Sequence, residues 1–225
     1  MTGIIYLNKN GFALFDDKTK GVFQFNFKSE VAKDLEVISI DQLKLQIKSF
    51  VESNKITPSG LIMVISQSML FEKDFALLPK EQLEIEIQKF LDNIPFEHVS
   101  SKTFQYEKGY RVVAANSHFF ESIKNAFEAL GFIVVTVMPS VAFGNIAESL
   151  NLETIKIILN KFVALKQYNF LPTSQNDSIE ARDDKTNNEK NKQKNLIAIG
   201  IFVLLIVILS IVVFVILSSQ KSSLK

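Results

Sequence analysis

The sequence predicts a mixed α/β fold with one C-terminal transmembrane helix, and three observations predict it. Strand-like and helix-like runs alternate through about the first 170 residues. A helical repeat leads directly into LIMVIS, residues 61–66, a continuously apolar run suited to a strand covered on both faces; that order is the mark of a parallel crossover. Finally, Leu196 to Leu217 reads LIAIGIFVLLIVILSIVVFVIL without one charge. A helix of that length reaches roughly 33 Å, against a hydrocarbon core of about 30 Å.

Residues 2–8, 11–16 and 20–27 are short runs rich in Ile, Tyr and Phe, separated by turn-like stretches at Asn10-Gly11 and Asp16-Asp17, as in a three-stranded meander. A helix is expected from Asp41 to Ser53: Ser39 and Gln42 fit a capping box, and Leu43, Ile47, Phe50 and Val51 share one face. From Met69 a second unit is expected, with a strand over 69–76 and a helix from Pro79, where the first turn tolerates a missing amide hydrogen. Glu81 favours the positive end of that helix, and Leu83, Ile87, Phe90 and Leu91 form its apolar stripe. Strands follow near 102–107 and 110–115, then a helix from His118 capped by Ser117. Phe120, Ile123, Phe127 and Leu130 repeat at helical spacing, Gly131 suits a left-handed terminus, and 132–138 reads as a strand. Residues 152–166 fit two templates. Leu152, Ile155, Ile158, Leu159, Phe162 and Val163 match a helix, the better match, whereas Asn160-Lys161 between β-branched runs suits a hairpin.

The stretch before the linker is long enough for one domain with a real core, or two small subdomains. Twenty Phe and no Trp make Phe packing dominant. A net charge of +1, with basic residues scattered among acids, argues against a nucleic-acid partner. The absence of Cys excludes disulfides and thiol chemistry. Residues 173–195, TSQNDSIEARDDKTNNEKNKQKN, are too polar to offset their ordering entropy and are expected to form a solvated tether. Arg182, Lys185, Lys190, Lys192 and Lys194 precede the apolar run 196–217, while Lys221 and Lys225 follow it. Positive charge stays cytoplasmic, so the expectation is a single-pass protein of the cytoplasmic membrane. Its large N-terminal part, 1–172, would lie in the cytoplasm and residues 218–225 would form a short extracytoplasmic tail. No secretory signal is read at the start.

Chemistry-bearing patterns are missing. His98 and His118 fit surface positions, no metal-ligand spacing occurs, and neither a nucleophile elbow nor a glycine-rich phosphate loop is present. Glu84 and Glu86 fit the solvated face of a helix. No enzymatic activity, cofactor or metal is expected.

Two longer runs carry a family resemblance: LLPKEQLEIEIQKFLDNIPFEHV and RVVAANSHFFESIKNAFEALGFIVVTVMPSVAFGN. The matching residues are Leu78, Pro79, Lys80, Gln82, Leu83, Ile94, Pro95, Phe96, Ala114, Ala115, Gly131, Pro139 and Phe143. They resemble the inserted subdomain of the actin-like type IV pilus assembly protein M (PilM) family and of the related L component of type II secretion. The likeness covers roughly 2–150 and is best over 76–145. It implies a single actin-like, ribonuclease H-like lobe with an inserted α/β subdomain over about 69–138. That family opens with an acidic-glycine phosphate loop, yet the corresponding place reads Ile4-Ile5-Tyr6-Leu7-Asn8-Lys9-Asn10-Gly11, with no carboxylate to organise a metal-bound nucleotide. The second actin-like half, with its own phosphate loop, is also missing: about 25 residues separate the Phe143 region from the tether.

Asn169, Phe170, Leu171 and Pro172 precede the polar stretch and the apolar run. Pro172 also fits a plain helix terminator; together the four residues resemble the N-[LF]-L-P segment of the small pilus assembly protein N, which docks on its M-type partner. The resemblance thus implies partner binding through these four residues, with other pilus or secretion platform subunits, an assembly ATPase or a second copy as partners. The function so implied is a non-catalytic scaffold anchored in a bacterial inner membrane. The alternatives are a membrane-anchored nucleotide-binding protein that completes its cleft by dimerising, and an unrelated tail-anchored adaptor.

Overall fold

A computed structural model describes residues 2–172, which fall within one unit, Met1–Thr173. The expected tether, span and tail lie outside the described residues. Among the described residues no helix is long and apolar enough to cross a membrane.

The chain opens with the meander, β1 (Thr2–Asn8), β2 (Gly11–Asp16) and β3 (Gly21–Asn26). Gly11 is fixed by crowding: a Cβ there would lie 1.9 Å from the Phe25 carbonyl oxygen across the ladder. A small ribbon of β4 (Ala32–Lys33) and β5 (Glu36–Val37) leads into α1 (Ile40–Ser53), where the Ser39 hydroxyl accepts the Gln42 N–H at 3.4 Å. Strand β6 (Gly60–Ile65) then pairs parallel to β1, completing the expected crossover.

A single 3₁₀ turn (Gln67–Met69) precedes β7 (Phe71–Ala76), α2 (Lys80–Asp92), β8 (Val99–Tyr106) and β9 (Gly109–Asn116). These strands form a separate antiparallel sheet in the order β7-β9-β8. One face of it packs Phe75 and Val112 under α2, through Leu83, Ile87, Phe90 and Leu91; the other turns Val113 and Ala115 toward the main core. Helix α3 (Ser117–Glu128) and β10 (Ile133–Pro139) come next. A 3₁₀ turn (Ser140–Phe143), α4 (Leu152–Lys161) and a last 3₁₀ turn (Lys166–Tyr168) complete the described chain.

The main sheet has the order β10-β6-β1-β2-β3. Its strands alternate between two cores, as a period of two requires. Ile5, Leu7, Phe12, Leu14, Met63 and Ile65 face a layer of α1 and α3, where Leu43, Ile47, Phe119, Phe120, Ile123 and Phe127 are fully or nearly fully buried. Ile4, Tyr6, Phe15, Ile62, Val64 and Met138 face the other side, closed by Phe143, Leu150, Ile155 and Ile158.

Two expectations change, and the open choice at 152–166 resolves to the favoured helix. The inserted unit is smaller than 69–138: β10 pairs parallel to β6 in the main sheet and α3 packs beside α1, so only β7, α2, β8 and β9 form the separate layer. Beside β6 the run 132–138 turns Phe132, Val134 and Val137 into the core under α1 and α3 and Met138 into the opposite one, while Ile133 and Val135 stay exposed. The α3 cap is Asn116, one residue before Ser117; its side chain accepts the Phe119 N–H at 3.4 Å and donates to the Leu35 carbonyl at 2.9 Å. Residues 152–161 are helical, with the Asn151 side chain accepting the Thr154 N–H at 2.9 Å.

Candidate functional site

The resemblance-derived residues 169–172 close the described chain, and their position follows from the sheet order. β10 lies at one edge of the five-stranded sheet, so its outward backbone groups have no strand partner. After α4 the chain passes through the Lys166–Tyr168 turn and comes alongside this edge. The Asn169 side-chain oxygen accepts the Val137 N–H at 2.8 Å, and the Phe170 N–H donates to the Val137 carbonyl at 2.7 Å. Both main-chain groups of Val137 are thereby satisfied. The same Asn169 oxygen accepts the Leu171 N–H at 3.1 Å, so one amide oxygen serves two donors and stands in for a strand carbonyl.

Side chains fasten this strap to both layers. Phe170 is 5% exposed and its ring stacks on Phe120 of α3, centroids 5.9 Å apart and planes 17° apart. Leu171 packs half-buried against the same core, whereas Pro172 is exposed. One residue before the expected segment, Tyr168 stacks on Phe104 of β8 at 4.1 Å. The strap therefore touches the main sheet through Val137 and the inserted sheet through Phe104. Phe170 alone is worth roughly 1.5 to 3 kcal/mol of burial. The sequence singled out Asn169, Phe170, Leu171 and Pro172 by resemblance and gave no sign of Tyr168 or of the neighbouring residues Val137, Phe120 and Phe104. No local signal marks these, because each contact joins residues 32 or more positions apart in sequence.

The place where the resembled family has its phosphate loop is built differently. β1 and β2 are joined by a two-residue turn, Lys9-Asn10, with the Asn10 N–H tied to the Asn8 side chain at 2.9 Å. Tyr6 beneath it is buried, and its hydroxyl has no hydrogen-bond partner. Burial, foremost, and the nearby Glu148 carboxylate push its pKa up to about 12, against the lowering influence of the Ser140 side chain. Among the described residues no group of three His, Cys, Asp or Glu side chains could hold a metal ion. His98 and His118, both exposed, face each other with ring centroids 6.2 Å apart. An open hollow of about 510 Å³ lies between β7 and α2, lined by Asp74, Phe75, Leu78, Gln82 and Ile85 among others. On the inserted sheet Arg111 binds Asp74 through two hydrogen bonds, 2.6 and 2.9 Å, which hold the Asp74 carboxyl below the usual carboxylate range.

No family model matches the chain, and no curated protein matches it. Among solved structures it is similar to a PilM-PilN type IV pilus biogenesis complex, at 12% identity, over 64% of this chain and 48% of that one, with a TM-score of 0.44. It is similar to the cytoplasmic domain of EpsL, an inner membrane component of the type II secretion system of Vibrio cholerae, at 18% identity, over 65% and 60%, with a TM-score of 0.39. A third is a Bacteroides thetaiotaomicron protein with an actin-like ATPase fold and unknown function, at 11% identity, over 62% and 51%, with a TM-score of 0.35. The chain spans 48 to 60% of the length of these structures. With TM-scores below 0.5 these likenesses are descriptive, and assignment has to come from this chain's own geometry and residues.

Proposed function

We propose that this protein is a non-catalytic, membrane-anchored scaffold of a type IV pilus or type II secretion-like assembly platform. Its actin-like lobe holds the Asn169–Leu171 strap of its own chain. The observation that carries the reading is the engagement of both Val137 main-chain groups by Asn169 and Phe170, reinforced by the stacking of Phe170 on Phe120. In the resembled system an Asn-x-Leu-Pro segment on one protein docks on the lobe of another. Here lobe and segment are continuous, which makes the lobe the fixed end of the polar stretch and apolar run that follow. The scaffold then presents its inserted layer to other platform subunits or to an assembly ATPase, at the cytoplasmic side of a bacterial inner membrane.

The non-catalytic part of the reading is supported by the two-residue β1–β2 turn and by the buried Tyr6, which offer neither a loop of free N–H groups nor a carboxylate for a nucleotide-bound metal. Full-length protein extracted from its native membranes tests the proposal. Co-purification of pilus or secretion platform subunits is the expected result, with no calorimetric binding of ATP and magnesium in the micromolar range. Extraction in the soluble fraction, or micromolar nucleotide binding, would overturn it.

A further inference from the structure

The opposite edge of the main sheet, β3, is open. The Phe27 N–H donates to the Asn10 carbonyl at 2.8 Å, so by strand alternation Phe25 and Phe23 also direct their main-chain groups toward β2. Val22, Gln24 and Asn26 then direct theirs outward, and among the described residues no hydrogen bond meets them. The other strand edges are defended: β7 carries Glu72, Lys73 and Asp74, β8 carries Lys102, and β10 has a register irregularity at Val135, an imino residue at Pro139 and the strap. β3, GVFQFN, has no charge, no proline and no bulge. Such an edge is a template for another strand.

We infer that a second copy of this chain pairs with β3 through an antiparallel β3–β3 ladder, extending the sheet across a two-fold axis at Gln24. The strand specifies this occupant because it is complementary to itself. Antiparallel pairing with Gln24 opposite Gln24 places Val22 opposite Asn26, the one register that engages all three outward residues of both copies. Within the strand no charge opposes a like charge. Phe23 of one copy faces Phe25 of the other on the α1 and α3 side, where both rings are only half-buried in the monomer. At the ends Lys20 faces Lys28, and Lys20 is already paired with Asp17. One six-residue ladder buries less than the roughly 1,200 Å² of a standard stable interface. The dimer therefore depends on concentration and is favoured wherever copies are held close together.

The 225-residue sequence contains no cysteine, so single cysteines report the contact cleanly. Residues in a hydrogen-bonded antiparallel pair lie about 5.5 Å apart at Cα, within disulfide reach. Under mild oxidation Gln24→Cys is expected to cross-link to itself at least about ten times faster than Leu152→Cys, an exposed position on α4. A mixture of Val22→Cys and Asn26→Cys chains is expected to cross-link faster than either variant alone. Equal rates at 24 and 152 in the purified chain would overturn the proposal and leave a foreign strand as the occupant. Self-linking of Val22→Cys as fast as the mixture would overturn the register.

Discussion

The two edges of the five-stranded sheet are treated in opposite ways. At β10 the chain returns with Asn169 and Phe170 to satisfy the single residue Val137, while the irregularity at Val135 and the ring of Pro139 break up the rest of the edge. At β3 the main-chain groups of three successive outward residues face solvent, and the side chains there are uncharged. Closing an edge with a local strap costs the ordering entropy of a few residues and removes the risk of unwanted pairing. Leaving an edge open keeps the pairing capacity and makes it a means of association. One sheet thus holds an internal seal on one side and a free valence on the other.

The largest expected effect comes from breaking the sealed edge. Phe170→Ala removes the stacked ring and should release the strap while the lobe stays folded, since α1 and α3 also pack on the sheet through Leu43, Ile47, Phe119, Ile123 and Phe127. Hydrogen exchange in the full-length chain should show protection of the Phe170 and Val137 amides falling by roughly a hundredfold, the equivalent of about 3 kcal/mol. Unchanged protection would mean that the ring adds nothing to the seal. Asn169→Ala should cost about 1 to 2 kcal/mol, because the partly buried Val137 N–H loses its acceptor, whereas Asn169→Asp keeps an acceptor and should lose less. Indistinguishable effects of the two changes would show that the amide oxygen is not the working group.

Tyr6 lies on the central strand and supplies a reference that touches neither edge. Its hydroxyl is buried without a partner, so Tyr6→Phe should be neutral or stabilising by up to about 1 kcal/mol. The folded-state pKa is raised from the usual value near 10 to about 12, so the group's contribution is full below about pH 10 and is lost as pH rises toward 12. Denaturant titrations between those limits should show a shallower alkaline decline for the Phe variant; parallel declines would show that Tyr6 does not govern it. The smallest effect on stability is expected at the open edge. Gln24→Lys should change unfolding free energy by less than about 0.5 kcal/mol, yet the like charges it brings together at the two-fold axis should abolish the dimer measured by light scattering.

The sequence showed which residues want burial better than where they go. Asn169, Phe170 and Leu171 stood out through their likeness to an N-[LF]-L-P segment, but Val137 as their neighbour required knowing that β10 is an edge. That depends on the parallel pairing of β10 with β6, about 70 residues away, and the run at 132–138 is apolar enough for either sheet. The same ambiguity put β10 in the inserted unit. Local chemistry was read more closely: the Ser39 cap of α1 and the three meander strands fall at or within one residue of their expected places. Asn116 and Ser117 are both competent caps, and only the tie from Asn116 to the distant Leu35 carbonyl separates them.

The strap also imposes an order on synthesis. The meander closes through neighbours in sequence and can form as soon as its residues emerge, whereas the groups of Val137 wait for a partner 32 residues later in the chain. Throughout that interval a nascent chain exposes two edges, and it is the Val135 irregularity and the imino ring of Pro139, already present in β10, that guard the second one. Ribosomes translating the same message in tandem bring nascent chains close together at this stage, so β3 of one can meet β3 of the next before either is sealed on its other side. Pairing of that kind would be an assembly event timed by translation, with the strap arriving last to leave only one route of growth.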